Sequence, residues 1–174
     1  MVKIALIIGF KNFRDEEYFI PKSIFQENGF KVKTVSTEIG IAVGGDGGEV
    51  NVDLCLMDLN INEFDALVFV GGPGAYDFIE NESIWQIIRQ ARDKGKLLAA
   101  ICIAPAILAR AGVLQGKKAT IWSSPMDKKP IKILQENGAE YLNKAVVQDG
   151  KIITGNGPSA AQDFAEKIIQ MFGG

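Results

Sequence analysis

Leu97-Leu98-Ala99-Ala100-Ile101 is a run of five apolar residues without polar alternation; it stops at Cys102, and helix-favouring residues begin at Ala104. A strand buried on both faces of a parallel sheet reads this way. Pro105 fits the first turn of the helix that follows, where its missing N–H would have had no partner. Strand, tight corner and helix therefore meet at one thiol. Such a corner aims the sulfur at free N–H groups and the positive end of a helix dipole, which favour a thiolate. The plainer reading of Cys102 is a small hydrophobe at a strand end.

The same grammar recurs along the chain. Lys3 to Ile8 reads as a core strand, Phe30 to Ser36 as a strand nearer the sheet edge, and Ala66 to Val70 as a third core strand. Helical spacing runs from Asp15 to an Asn28-Gly29 stop, with Pro21 inside it, so Asp15 to Tyr18 reads as an irregular entry or the helix as kinked. Further helices are expected over Glu82 to Lys94, Ala104 to Ala111, Met126 to Asn137 and Ser159 to Phe172, the last with Ser159 as its cap. Lys118 to Trp122 reads as a short strand, and Val146 to Thr154 as a hairpin turning at Asp149-Gly150. The glycine-rich stretch Gly40 to Asn51 fits a hairpin better than a phosphate cradle, because neither a lysine nor a helix follows it. Strands alternating with helices predict an α/β fold: a three-layer sandwich with a central, mainly parallel sheet, helices on both faces and an added β-hairpin. At 174 residues, one domain spanning 1–174 is expected.

In such a sheet, chemistry gathers at the carboxyl ends of strands. Three ends carry candidate groups: the one before Glu16 and Glu17, the turn Gly71-Gly72-Pro73-Gly74, and Cys102. Glycines there let backbone N–H groups approach an anion closely. Other classes are disfavoured. Net charge is −2 with scattered lysines and arginines, so neither nucleic acid nor a membrane is an expected partner. No apolar stretch approaches bilayer-spanning length, and the reading is a cytoplasmic protein. The two cysteines, Cys55 and Cys102, form neither a disulfide framework nor a metal-ligand spacing, so no metal and no cofactor are expected, and Cys55 defaults to a structural role. Histidine is absent, which removes the usual general base of Ser-His and Cys-His pairs.

Taken together, Glu17 four residues before Pro21, Val70-Gly71-Gly72-Pro73-Gly74, Ala99-Ala100-Ile101-Cys102, Ala111-Gly112-Val113-Leu114-Gln115-Gly116-Lys117 and Gly157-Pro158-Ser159 ahead of Phe164-Ala165 resemble the ThiJ/PfpI superfamily over nearly the full length. The resemblance implies a flavodoxin-like domain with Cys102 as a reactive thiol on a strained nucleophile elbow. It implies Glu17 as a protonated carboxylic acid reaching the sulfur, and the backbone N–H groups of Gly72 and Ile103 as an oxyanion hole. Gly71, Trp122 and Ser123 would border the pocket. It also implies a homo-oligomer, at least a dimer, acting on a small-molecule or peptide substrate.

The chain departs from that pattern where Ile103 follows the cysteine in place of the histidine of peptidase-type members, and at Trp122, near which deglycase-type members carry one. Three functions follow as expectations. The leading one is a cysteine peptidase or hydrolase-like stress protein with its histidine-dependent chemistry lost or altered. The second is a non-enzymatic redox sensor or chaperone that oxidises Cys102, and the third a glyoxalase or deglycase using Cys102 and Glu17.

Overall fold

The computed structural model describes residues 1–174. In chain order the elements are β1 (Lys3–Ile7), β2 (Lys11–Phe13), α1 (Asp15–Glu27), β3 (Lys31–Ser36), β4 (Ile41–Gly44), β5 (Glu49–Asn51), β6 (Leu54–Cys55) and β7 (Ala66–Phe69). There follow α2 (Tyr76–Ile79), α3 (Glu82–Asp93), β8 (Leu97–Ile101), α4 (Pro105–Arg110), β9 (Lys118–Ala119), α5 (Lys129–Glu136), β10 (Glu140–Tyr141), β11 (Val146–Asp149), β12 (Ile152–Gly155) and α6 (Ala161–Gln170). The central sheet has seven strands in the order β11-β12-β8-β7-β1-β3-β6. Every pair in it is parallel except β11 with β12.

The uninterrupted apolar runs now have a cause. Because successive side chains of a strand point to opposite faces, each central strand feeds two cores. Ala5, Ile7, Leu67, Phe69, Leu98 and Ala100 enter one of 30 residues, beneath the face that carries α3, α4 and α5. Ile4, Leu6, Val68, Val70, Ala99 and Ile101 enter another of 20 residues, under α1 and α6. The three-layer α/β sandwich is thus present, and no helix is long and apolar enough to cross a membrane. After β1 the chain moves to β3 on one side and later to β7 on the other, so the strand order reverses beside β1. Crevices at such reversals lie at the carboxyl ends of strands, where β1, β7 and β8 end near Glu17, Gly71 and Cys102.

Several local expectations are corrected. The helix around Pro21 is unbroken from Asp15, with the Glu17 and Tyr18 N–H groups already bonded to Arg14 O; proline there removes only the N–H that would have reached the Glu17 carbonyl. Lys118 to Trp122 is a strand only at Lys118–Ala119, where it pairs with β10 in a separate two-stranded sheet. Beyond it, Thr120 N–H donates to Thr154 Oγ1 and Trp122 N–H to the Cys102 carbonyl, so the segment runs across the strand ends. Ser124 and Asp127 bridge each other, which delays α5 to Lys129. The β11–β12 register pairs Asp149 with Ile152, placing the turn at Gly150-Lys151. Ser159 caps nothing; it lies inside a 3-10 turn, Pro158–Ala160, that leads into α6.

The glycine-rich stretch is the expected hairpin, β4–β5, with a strand the sequence did not suggest, β2, pairing with β4. Its tip is tied down by one carboxylate: Asp15 Oδ1 accepts from Asp46 N–H at 2.9 Å and Oδ2 from Gly48 N–H at 2.8 Å. Hydrogen bonds to a charged acceptor are worth more than neutral ones, so Asp15→Ala is expected to cost about 1–2 kcal/mol. Urea unfolding and proteolysis of the Gly45–Gly48 tip would measure it, and unchanged values in both would refute the tether.

Candidate functional site

The corner at Cys102 is built on a strained residue. Its φ is +63°, in the left-handed region that residues other than glycine rarely occupy. Both of its backbone groups are committed: the N–H donates to Gly155 O and the carbonyl accepts from Trp122 N–H, each at 2.9 Å. Ties of this kind hold a conformation that would relax by itself. With the backbone held, the N–H groups of Gly72 and Ile103, which donate to no backbone carbonyl, act on the half-buried Sγ by lowering its proton affinity.

Glu17 reaches the same point from α1. The first turn of that helix carries three acids in a row, and each has a different neighbour: Asp15 holds the hairpin, Glu16 lies 3.4 Å from Arg14 Nε, and Glu17 is fully buried. Glu17 Oε1 accepts from Gly71 N–H at 3.0 Å. Its other oxygen, Oε2, is buried without a hydrogen-bond partner, and the carboxyl lies beside the Cys102 side chain across Gly71. Gly71 makes the approach possible. A Cβ there would lie 2.5 Å from Cys102 Cβ, 2.7 Å from Glu17 Oε1 and 2.8 Å from Ile101 O. Gly72 has φ +94°, and a Cβ on it would meet Arg14 N at 2.6 Å.

Burial pushes both titratable groups up. Glu17 rises to about 7, chiefly by desolvation, with the Cys102 and Gly71 hydrogen bonds and the Arg14 charge pulling it down. The Cys102 thiol is pushed up to about 12 by desolvation and then by the Glu17 charge, which outweigh the two N–H donors. This corrects the expectation that the corner alone favours a thiolate. The two groups titrate as a pair, which holds one proton between about pH 7 and pH 12.

Above the sulfur lies a cavity of about 290 Å³. Of the residues the resemblance named, Gly72, Cys102, Ile103 and Trp122 line it, whereas Gly71 sits buried between Glu17 and Cys102, and Ser123 lies outside the lining. Residues not anticipated are Arg14, Tyr76, Pro73 and Pro158. Tyr76 keeps its proton more firmly than an ordinary phenol, through burial first and then the charges of Asp127 and Cys102, so its hydroxyl remains a donor. Only Arg14 had a local signal, its place immediately before the helix that bears Glu17. A larger groove, about 720 Å³, lies between α1 and α6 and holds neither cysteine. No group of three or more Cys, Asp or Glu side chains is arranged to hold a metal ion.

The DJ-1/PfpI family profile matches residues 2–171. The chain belongs to that family. An uncharacterized protein of Methanocaldococcus jannaschii is 38% identical over 169 residues, covering 97% of this chain and 81% of its own length. Deglycase PfpI of Pyrococcus furiosus is 32% identical over 166 residues, covering 95% and 97%. Among solved structures, a ThiJ/PfpI domain protein of Brachyspira murdochii superposes with a TM-score of 0.93 at 33% identity, covering 98% of this chain and 96% of that one.

Proposed function

We propose that this DJ-1/PfpI protein is a cysteine-dependent enzyme acting on small reactive carbonyl compounds, with Cys102 as nucleophile and Glu17 as acid and base. The observation that carries the reading is the buried Glu17 carboxyl facing the Cys102 thiol beneath a small cavity. A carboxyl group held near pH 7 does the work that histidine does elsewhere. Relatives named as deglycases support the same class of substrate. Peptide hydrolysis has less support, since the chain contains no histidine to assist a leaving amine.

Between about pH 7 and pH 12 the pair's proton rests on the thiol, because burial and the Glu17 charge raise its proton affinity above that of the carboxylate. Glu17, as the carboxylate, takes that proton as the substrate arrives, and a proton on the orphan Oε2 becomes a donor. The working form is this Glu17 acid beside a Cys102 thiolate. On a 2-oxoaldehyde, sulfur attacks the aldehyde carbon and forms the C–S bond. The carbonyl electron pair moves onto oxygen, held by Gly72 and Ile103 N–H, and takes the Glu17 proton. Glu17, now a carboxylate, removes the C1 hydrogen as a proton and returns it to C2, while the proton on the C1 oxygen passes to the C2 oxygen. C1 becomes a thioester and C2 an alcohol, with no external oxidant. Water then cleaves the C–S bond, releasing a 2-hydroxy acid and restoring the pair.

Incubation with methylglyoxal should yield lactate, with kcat/KM rising through about pH 7 as the pair loses its first proton. Cys102→Ser should show none. Turnover surviving in Cys102→Ser would defeat the reading.

A further inference from the structure

We infer that Arg14 is a specificity-determining residue that seats a carboxylate carried by the carbonyl substrate. The inference refines the substrate class of the reaction proposed above and rests on that reading. Arg14 is the one cationic side chain lining the Cys102 cavity. Its backbone is fixed at the cavity wall: the N–H donates to Gly71 O at 3.1 Å, and the carbonyl accepts from Glu17 and Tyr18 N–H. The guanidinium itself makes no hydrogen bond. Its one polar engagement is a loose ion pair, with Nε 3.4 Å from Glu16 Oε2 and both side chains about half exposed. By contrast, the Arg89 Nε–H donates to the Ala111 carbonyl at 2.7 Å and the Arg92 Nε–H to Asp93 at 2.9 Å.

An exposed pair of that kind is easily exchanged for a better partner. A planar fork of N–H donors is matched by a carboxylate, which accepts two parallel hydrogen bonds. Electrostatics gives the fork a reason to be there. The Glu17–Cys102 pair carries one negative charge beneath the cavity, so a carboxylate would be repelled unless a cation met it. The Arg14 charge already reaches Glu17 and lowers its proton affinity. The Tyr76 hydroxyl, held protonated, offers a further donor on the same lining. A substrate with its carbonyl carbon at Cys102 and its oxygen on Gly72 and Ile103 N–H would thus turn its acidic end toward Arg14.

The test uses alkylation, which needs no turnover. Iodoacetate and iodoacetamide differ in charge but react alike with thiols, and Cys55, half-buried with its thiol on Thr37 O, serves as the reference within the same chain. The iodoacetate-to-iodoacetamide rate ratio at Cys102 should exceed that at Cys55 by about tenfold, as expected for one charge-assisted contact. Arg14→Gln should bring it down to the Cys55 value, and Arg14→Lys should retain part of it. A wild-type ratio no higher at Cys102 than at Cys55, or one unchanged in Arg14→Gln, overturns the assignment. Glyoxylate, the smallest aldehyde acid, should also protect Cys102 from iodoacetamide at lower concentration than neutral glyoxal does, and this preference should be lost in Arg14→Gln. Methylglyoxal turnover without any preference for anions would sink the role of Arg14 alone, whereas anion preference without turnover would sink the enzymatic reading and leave Arg14 as an anion-binding residue.

Discussion

Gly71→Ala should destabilise the protein by about 3 kcal/mol, the upper end of overpacking costs, and should separate the two groups of the site. A methyl group there needs the space between Cys102 Cβ, Glu17 Oε1 and Ile101 O, all within 2.8 Å of it. None of the three can yield cheaply. Ile101 O belongs to the central strand β8, Cys102 is tied at both backbone groups, and moving Glu17 breaks its bond to Gly71 N–H inside a buried setting. Gly112→Ala supplies the comparison. Gly112 has φ +85° with nothing within 4 Å of its added Cβ, so it incurs only the left-handed backbone cost of about 1–2 kcal/mol. Urea unfolding of both variants would decide it. Equal costs would mean that the close approach of Glu17 and Cys102 does not depend on the absence of a side chain at Gly71.

Glu17→Gln is expected to lower kcat by about 10²–10⁴-fold, the range for removing a general acid–base group, while making the protein more stable above neutral pH. The second effect has a definite sign. In the unfolded chain Glu17 releases its proton near 4.5, but in the folded protein only near 7. Between those values the folded state binds more protons, so stability is full below about 4.5 and falls as pH rises to about 7. A displacement of that size corresponds to about 3 kcal/mol over the window. The thiol repeats the sign between its ordinary 9.0 and about 12. Glutamine keeps an acceptor for Gly71 N–H but carries no charge to bury. Urea unfolding at pH 4, 6 and 8 should therefore show the wild type weakening and Glu17→Gln holding level. A wild type equally stable at pH 4 and pH 8 would contradict the raised Glu17, and a variant with intact kcat would remove Glu17 from the chemistry.

The residues that the chain could reveal locally were those whose surroundings are also local. Leu97 to Ile101 needed both faces buried, Asn28-Gly29 needed a left-handed stop, and the corner at Cys102 needed a short helix behind it. Order along the chain then placed Glu17, Gly72 and Ile103 at the carboxyl ends of the central strands β1, β7 and β8. Where local pattern misled, tertiary hydrogen bonds had taken over. Thr120 and Trp122 left their strand for partners on Thr154 and Cys102, and the Ser124–Asp127 bridge displaced the start of α5.

Sequence by itself determined the alternation of strands and helices, the two-sided burial of the central strands and the absence of a histidine base, because each follows from composition or from side-chain periodicity. Tertiary structure decided what the acids and the thiol are worth. Asp15, Glu16 and Glu17 are chemically alike in the chain, and the phase of α1 against the sheet sends one to the hairpin, one to Arg14 and one into the core beside Cys102. Desolvation depends on everything packed around a group, so neither the raised Glu17 nor the thiol that shares its proton could be read from neighbours in sequence, nor could the place of Arg14 on the wall above them.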